Sequence, residues 1–368
     1  MNSLIKEQYS MKIKKNLLYI SDCFLKSSVF ESQVHSLCNV HSQHFNVTLL
    51  VLCNKEEYDM EGLAGAKYKL VKYKKPPKLF MPLSQKIAMF TYKNITPFYQ
   101  ADVIHSRGQI GTGFAINICK KYNLQRPIIA DIRGAMSEEI TYMKSFGYKF
   151  FSAQANILEE FVFKNATYLF FVSENMKKFY ETKYNFIIKS AIFPTIVNEN
   201  FFYKSSSNRA KMREELSIED KFVYIYVGNA DKWQKLDIIM VEFMKQVSKN
   251  NLLYLVIVTT EPLKVKAMLL ELNIDITNIL ITSTTYNKVA KYINAADAGL
   301  LIRDENSVNY VASPTKRNEY LACGIKVVDK LNEIGNTDYE AQNLHYKPFK
   351  EIIEEQEKIY KNLGQNNR

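Results

Sequence analysis

A chain of 368 residues is too long for one compact core and suits two domains of ordinary size. Hydrophobic residues make up 47% of it, as in globular proteins, which excludes a disordered chain. The net charge is +11, and residues 1–200 hold nearly all of it, with 26 basic against 16 acidic side chains; the remainder has 23 against 22. The first half is therefore expected to face an anionic ligand or surface, or to be basic for solubility alone.

No run approaches 18 uninterrupted apolar residues, and the short run at residues 17–20 predicts a buried strand rather than a signal-peptide core. The five cysteines are scattered without a C-x-x-C pair, and the five histidines lack the spacing of a metal site. We therefore expect neither a disulfide framework nor a structural metal. A cytoplasmic protein is expected, either free or peripheral on the inner face of the cell membrane.

Short apolar runs alternate with helix-length segments along most of the chain. Each of two successive groups predicts a parallel sheet with crossover helices, which makes the fold class α/β with two doubly wound domains. The predicted strands are residues 16–20, 47–53, 68–73, 103–105, 128–131 and 168–172, then 223–227, 253–258, 279–281, 299–302 and 325–328. The predicted helices include residues 29–42, 114–122, 151–164, 238–247, 262–272, 286–295 and 315–323.

The domain boundary is predicted between residues 192 and 213, where a proline and a Ser-Ser-Ser-Asn tract break the periodicity. We expect one domain over residues 1–195, a second over 196–350, and a C-terminal helix in 351–368 that packs toward the first domain. Two such domains facing each other would leave a central cleft. Ligands of doubly wound sheets bind outside the C-terminal ends of the strands, so motifs at those ends are the candidates for function.

Residues 300–328, LLIRDENSVNYVASPTKRNEYLACGIKVV, predict a strand, a long loop, a short helix and another strand. Ser313 suits the N-cap of the helix, Pro314 its first position and Gly324 its C-terminal stop. The loop before the helix lies at the C-terminal end of a strand. The helix therefore begins on the side of the sheet where a ligand is expected.

The start of this helix is predicted to bind phosphate. Its free N–H groups, around Thr315 and Lys316, carry about half a positive charge, and the ammonium of Lys316 adds a full one. Glu319 lies one turn deeper on the same face, where its carboxylate can accept hydrogen bonds from ribose hydroxyls. The alternative is a capped surface helix in which Lys316 and Glu319 only pair with each other.

The pattern S-P-T-K-x-x-E-Y-L-A-C-G resembles the donor-binding signature of glycosyltransferase family 4, whose members have the GT-B fold and use nucleotide sugars with retention of configuration. The resemblance implies that Glu319 holds the nucleotide ribose and that Ser313, Pro314, Thr315 and Lys316 lie against the diphosphate. It also implies that the second domain binds the donor and the first the acceptor. Many members carry another glutamate eight residues before the first, where this chain has Val311.

A second segment follows the predicted strand at residues 223–227 and reads G-N-A-D-K-W-Q-K. Gly228 lets the backbone approach a ligand closely, and Asn229 follows it. The resemblance implies a basic residue several positions on that neutralises the leaving diphosphate. Either Lys232 or Lys235 can fill this role, and we prefer Lys232.

The first half of the chain matches the family through D-V-I-H-S-R-G at residues 102–108 and D-I-R-G at 131–134. Together with the following Glu138 and Glu139, the second motif resembles a subgroup that makes capsule or surface polysaccharide. The resemblance implies that His105, Arg107 and Arg133 are catalytic candidates beside Lys232 and Lys316, and that Glu138 and Glu139 face the acceptor.

The predicted function is transfer of a hexosyl group from a UDP- or GDP-sugar to a glycan or lipid-linked glycan in surface-polysaccharide synthesis. We expect no cofactor and no metal, because lysines rather than an acidic pair follow the strands and can stabilise the leaving diphosphate.

Two alternatives stay open. One is a sugar-nucleotide epimerase of the same architecture, in which Asp131, Glu138 and Glu139 would move protons. The other is a non-enzymatic, two-lobed sugar-binding protein.

Residues 67–80 hold six lysines interleaved with aromatic and aliphatic side chains. Lysines near an anionic lipid surface attract it, so the region at residues 67–78 is predicted to dock on a membrane that supplies a lipid-linked acceptor. The alternative is a strand with a solvated lysine face that runs into a Pro-Pro turn. No nucleic-acid partner is expected, because no known binding module is present.

Overall fold

The structure is a computed structural model that describes residues 14–25, 27–59, 63–75, 81–185, 189–231, 234–338 and 346–365. The chain divides into two compact units. The first unit comprises Met1–Pro194 with Lys350–Arg368, and the second comprises Thr195–Phe349. In the described part of the chain, no helix is both long and apolar enough to cross a membrane.

The described residues of the first unit form a seven-stranded parallel sheet in the order β3-β2-β1-β4-β5-β6-β7. The central strands are fully buried because helices cover both faces, as the continuous apolar runs predict. The strands are β1 Asn16–Ser21, β2 Asn46–Cys53, β3 Lys69–Lys74, β4 Val103–Arg107, β5 Ile128–Ile132, β6 Tyr168–Phe171 and β7 Ser190–Ile192. The helices are α1 Ser28–Phe30, a π-helical turn Glu31–His35, α2 Ser36–His41, α3 Lys55–Tyr58, α4 Met81–Thr91, α5 Thr96–Gln100, α6 Gly108–Lys121, α7 Met136–Met143, α8 Tyr148–Asn165 and α9 Glu174–Tyr184.

The second unit repeats the plan with a five-stranded parallel sheet among its described residues, in the order β10-β9-β8-β11-β12. Apolar side chains fill the space on both faces of this sheet. The strands are β8 Phe222–Val227, β9 Leu253–Val258, β10 Ile279–Thr282, β11 Ala298–Leu300 and β12 Lys326–Val328. The helices are α10 Ser206–Leu216, α11 Leu236–Val247, α12 Pro262–Glu271, α13 Tyr286–Ala295, α14 Ser307–Val311 and α15 Thr315–Ala322, followed by a 3₁₀ turn at Leu331–Glu333.

The segment expected to be a linker is partly helical. Helix α10 begins within the serine tract because the hydroxyl of Ser205 accepts a hydrogen bond from the N–H of Asn208, as an N-cap does. Serines that look like a flexible linker in the sequence therefore start a helix of the second unit.

The C-terminal helix, α16 Phe349–Leu363, returns to the first unit. Its buried face meets the sheet through Tyr360, whose hydroxyl lies 2.6 Å from Nδ1 of His105 on β4. At its middle, Glu357 lies 3.3 Å from Nδ1 of His41 and 2.9 Å from Nδ1 of His44. The last helix of the chain thus covers strands from its first half.

Candidate functional site

In both sheets the strand order reverses beside the first strand of the unit, between β1 and β4 and between β8 and β11. Doubly wound sheets bind ligands at this switch point, outside the C-terminal strand ends. In the second unit these ends carry Gly228 after β8 and Arg303 after β11. Gly299 pairs with Ile225 in parallel register, and Arg303 interacts electrostatically with Tyr226, so Arg303 lies near the end of β8.

Helix α15 is fixed against this edge by Tyr320. The N–H of Val227, the last residue of β8, donates to the Tyr320 hydroxyl at 3.2 Å. The ring lies on β11 at Gly299, where any Cβ would overlap it. One buried tyrosine therefore connects the helix to the two strands that flank the switch point.

The start of α15 differs in detail from the sequence prediction. Pro314 is the N-cap, and no side chain caps the helix. The Ser313 hydroxyl instead accepts a hydrogen bond from the N–H of Thr195 at 3.3 Å. Thr315 is then the first helical residue, and the predicted stop is correct, since Gly324 follows the helix with φ of +74°.

Lys316 and Glu319 pair with each other, as expected for a capped surface helix without a ligand. Nζ of Lys316 lies 3.4 Å from the Glu319 carboxylate. Glu319 is buried and also accepts a hydrogen bond from the Tyr286 hydroxyl at 3.3 Å. The pair does not exclude a ligand, because the Lys316 side chain stays about one-third exposed (32%). Each carboxylate oxygen has one donor, Tyr286 on Oε1 and Lys316 on Oε2, and an ionised carboxylate can accept further hydrogen bonds from hydroxyls.

The turn after β8 is shaped by its own side chains. A Cβ on Gly228 would lie 2.8 Å from the Tyr226 hydroxyl, which donates to the carbonyl of Asn229 at 2.6 Å. The glycine therefore makes room for Tyr226, and closeness to a ligand is not needed to explain it. The amide of Asn229 donates to Asp231 at 2.6 Å, while its Oδ1 is buried without a hydrogen-bond partner in the described structure.

Of the two lysines predicted to neutralise the diphosphate, the structure describes only Lys235. Lys232, the preferred one, lies outside the described residues, as does Trp233. Lys235 begins α11 and forms an ion pair with Asp304. The pair ties the turn after β8 to the loop after β11.

Arg303 is the cation at this edge to which the sequence interpretation gave no role. It makes no hydrogen bond or ion pair within the described structure, and its Nε is buried without a partner. Burial lowers the pKa of Arg303 from its usual value, while the nearby Tyr226 raises it. The N–H groups of a half-buried arginine that has no carboxylate partner in the described structure are available to bind an anion.

In the first unit, the three predicted catalytic residues converge on one buried carboxylate. Asp131 at the end of β5 lies 2.8 Å from Nε of Arg133, 3.3 Å from Nε2 of His105 and 3.8 Å from a terminal nitrogen of Arg107. Burial alone would raise the pKa of Asp131, but Arg133, His105 and Arg107 hold it well below its usual range. The cluster is a charged core between the sheet and α16.

His105, one of the predicted catalytic residues, is completely buried (0% exposed) in this cluster. Its ring lies between Tyr360 of α16 and Asp131, and burial lowers its pKa against the opposing effect of Asp131. Arg107 is buried as well, whereas Arg133 keeps a partly exposed side chain that also donates to the carbonyl of Phe193 at 3.3 Å.

The acceptor-side glutamates lie at the start of α7, directly after β5. Glu138 is 3.2 Å from Nζ of Lys183, and Glu139 lies over Gly134, where a Cβ would overlap its carboxylate. Burial raises the pKa of Glu139, and nearby Glu159 raises it further. This half-buried carboxylate at a strand end can accept a hydrogen bond from a hydroxyl.

Glu159 of α8, which the sequence interpretation missed, anchors this segment. It is buried and accepts hydrogen bonds from the N–H and hydroxyl of Ser137 and from the hydroxyls of Tyr180 and Tyr184, between 2.8 and 3.1 Å. It therefore fixes the first turn of α7, and with it the direction of Glu138 and Glu139. A glutamate in a helix interior gives no sequence signal of this role.

Lysines of the proposed membrane region lie on β3, which is an edge strand of its sheet. Charged side chains are typical of edges because they oppose pairing with other chains. Residues 76–80, including Lys78, lie outside the described residues. The position of β3 at the edge of the sheet is therefore enough to explain the lysines of Lys69–Lys74, without a membrane.

Comparison with solved structures shows extensive similarity of fold. Sucrose-phosphate synthase from Thermosynechococcus elongatus superposes with a TM-score of 0.70 at 13% identity, over 96% of this chain and 100% of that one. A glycosyltransferase from Rickettsia africae gives 0.66 at 12% identity, over 96% and 100%. Anabaena HepE in complex with UDP-glucose gives 0.61 at 11%, over 94% and 89%.

No protein-family model matches the chain, and comparison with curated proteins gives no match. The structural neighbours are GT-B glycosyltransferases. The predicted fold class is therefore confirmed: the chain has the GT-B fold, with two Rossmann-like doubly wound domains.

Proposed function

We propose that this chain is a glycosyltransferase that moves a hexosyl group from a UDP- or GDP-sugar to a glycan or lipid-linked glycan during surface-polysaccharide synthesis. The observation that carries the proposal is the constellation at the switch point of the second unit. There, Tyr320 ties α15 and its Lys316–Glu319 pair to the end of β8, and Arg303, which has no ion pair among the described residues, lies near Tyr226 of the same strand. A neighbour of the same fold binds UDP-glucose, which supports a nucleotide-sugar donor.

In this proposal each group has a separate task. Glu319 accepts hydrogen bonds from the ribose beside the one from the Tyr286 hydroxyl. Arg303, Lys316 and the first N–H groups of α15 bind the diphosphate. As the bond from the anomeric carbon to the phosphate oxygen breaks, these fixed donors stabilise the growing negative charge.

Transfer with retention is proposed from the sequence resemblance. The acceptor oxygen bonds to the anomeric carbon on the face that the diphosphate leaves, and the acceptor proton passes to the departing phosphate oxygen. The acceptor is proposed to bind to the first unit near Glu138, Glu139 and Arg133, and the donor phosphates to be neutralised without a metal.

Turnover of nucleotide sugars tests the proposal. Purified protein is incubated with UDP- and GDP-sugars, with and without a lipid-linked acceptor fraction, and the products are separated by mass spectrometry. Release of the nucleoside diphosphate with transfer of the sugar to water or acceptor supports a transferase. Conversion of the sugar on an intact nucleotide identifies the epimerase, and binding without conversion identifies a sugar-binding protein.

A further inference from the structure

The helical hairpin α7–α8 of the first unit ends in an apolar tip that no part of the described chain covers. Residues 141–147 are all exposed. Phe146 is fully exposed (102%), and Met143 is 72% exposed. Soluble proteins rarely leave large apolar side chains together in water, and such a patch marks an interaction surface.

The tip is an ordered turn rather than a loose loop. Lys144 ends α7 in the left-handed region, with φ of +47°, and Gly147 precedes α8 with φ of +74°. The N–H of Tyr148 donates to the carbonyl of Ser145 at 2.9 Å. The backbone therefore holds Phe146 at the apex of the hairpin.

The hairpin projects from the edge where the acceptor is proposed to bind. Helix α8 has 18 residues and spans about 27 Å, whereas the five residues of β5 span about 17 Å. The helix returns to the N-terminal edge, where the N–H of Thr167 meets the carbonyl of Ile128. Its other end must therefore extend beyond the C-terminal edge, which carries Glu138 and Glu139.

The charge around the tip selects the partner. Lys144 and Lys149 flank Phe146, both are exposed, and residues 140–150 contain no acidic side chain. Apolar and aromatic side chains between lysines suit the boundary of an anionic bilayer, where rings enter the acyl region and ammonium groups meet lipid phosphates. A protein partner would require a shaped groove, whereas a convex apex needs only a soft surface.

We propose that the tip of this hairpin inserts Phe146 and Met143 into an anionic phospholipid membrane. The inference rests on the proposed function, in which the acceptor is lipid-linked, and it places the membrane at the edge that carries the acceptor-side glutamates.

Vesicle co-sedimentation tests the inference with wild-type protein, Phe146→Ser and the matched control Leu263→Ser. Leu263 lies on α12 of the second unit and is 80% exposed, so both changes remove an exposed apolar side chain. Wild-type protein is expected to bind vesicles that contain phosphatidylglycerol and to bind pure phosphatidylcholine weakly. Phe146→Ser should weaken partitioning about tenfold and the control should not. Each change of Lys144 or Lys149 to Gln should weaken it about fivefold at low salt.

The depth to which the tip enters the bilayer is measured by tryptophan fluorescence of the variants Phe146→Trp and Leu263→Trp. Trp233 is the only native tryptophan, so the emission of the wild-type protein gives the background. Brominated lipids should quench the emission added at position 146 and not that at 263. Equal vesicle binding by wild type and Phe146→Ser, or no quenching at 146, would overturn the inference. So would self-association that is lost in Phe146→Ser, because a second copy would then cover the tip. Donor turnover without vesicles is assayed in parallel, and its presence shows that the proposed function survives a failure of the membrane inference.

Discussion

Replacing Arg303 with glutamine should weaken binding of a nucleoside diphosphate strongly while leaving the fold intact. The guanidinium has no hydrogen bond or ion pair in the described structure, so its removal leaves no partner unsatisfied. Burial lowers the pKa of this arginine, which means that the free protein holds the charge at a cost. We therefore expect unfolding free energy to change by less than about 0.5 kcal/mol, or to rise.

The magnitude follows from the contact that is lost. Hydrogen bonds to charged groups contribute about 1.5–3 kcal/mol, which corresponds to about 10- to 150-fold in the dissociation constant. The matched control is Arg317→Gln, since Arg317 lies on α15 but is paired with Asp329 at 3.4 Å on the surface. Its loss should alter affinity by less than about threefold.

Isothermal titration with UDP or GDP and with the corresponding nucleosides measures both effects. The Arg303→Gln variant should lose affinity for the diphosphate and keep its affinity for the nucleoside, because only the phosphates meet the guanidinium. Equal loss for both ligands would indicate a rearranged pocket. Unchanged diphosphate affinity in a folded variant would remove Arg303 from the donor site.

Three further outcomes are expected. Glu319→Ala should weaken nucleoside binding by about 1.5–3 kcal/mol, measured by the same titration, and unchanged affinity would contradict the ribose assignment. Activity should survive excess EDTA, whereas complete loss restored by Mn²⁺ or Mg²⁺ would show that a metal handles the leaving group. Although burial opposes it, hydrogen bonds from His41 and His44 lower the pKa of Glu357 from 4.5 to about 2. Because the folded-state pKa is depressed, the contribution of Glu357 to the free energy of unfolding is complete above about pH 4.5 and is lost as pH falls toward 2. Chemical denaturation at a series of pH values should show that Glu357→Gln reduces the fall in unfolding free energy over this range by about 1–2 kcal/mol after screening. An equal fall in the wild type and the variant would refute the assignment.

Most of the fold was predictable because parallel strands buried on both faces are continuous apolar runs. Strand β9 has the predicted limits, residues 253–258, and the other predicted strands differ from the structure by one or two residues at one or both ends. Strand β7, Ser190–Ile192, was missed because a three-residue, half-buried edge strand has no such run. Helix α10 was missed because its serine and charged residues lack an apolar stripe.

The candidate site was only partly predictable. Motif spacing located the strand ends at Gly228 and the start of α15, since turn and cap residues act locally. It could not show that a helix from the end of the chain covers His105, because that contact joins residues 255 positions apart. Nor could it separate Lys235, which pairs with Asp304, from Arg303, which has no carboxylate partner among the described residues. The distinction depends on side-chain pairing between two loops.

Hydrogen–deuterium exchange with and without a tightly bound UDP- or GDP-sugar tests most directly where the donor binds. Slower exchange is predicted in the turn at residues 228–231 and in residues 303–319, with Arg303→Gln reducing the effect at the same ligand concentration. Protection confined to the first unit, or none in these two segments at saturating ligand, would contradict the assignment of the donor site to the second unit.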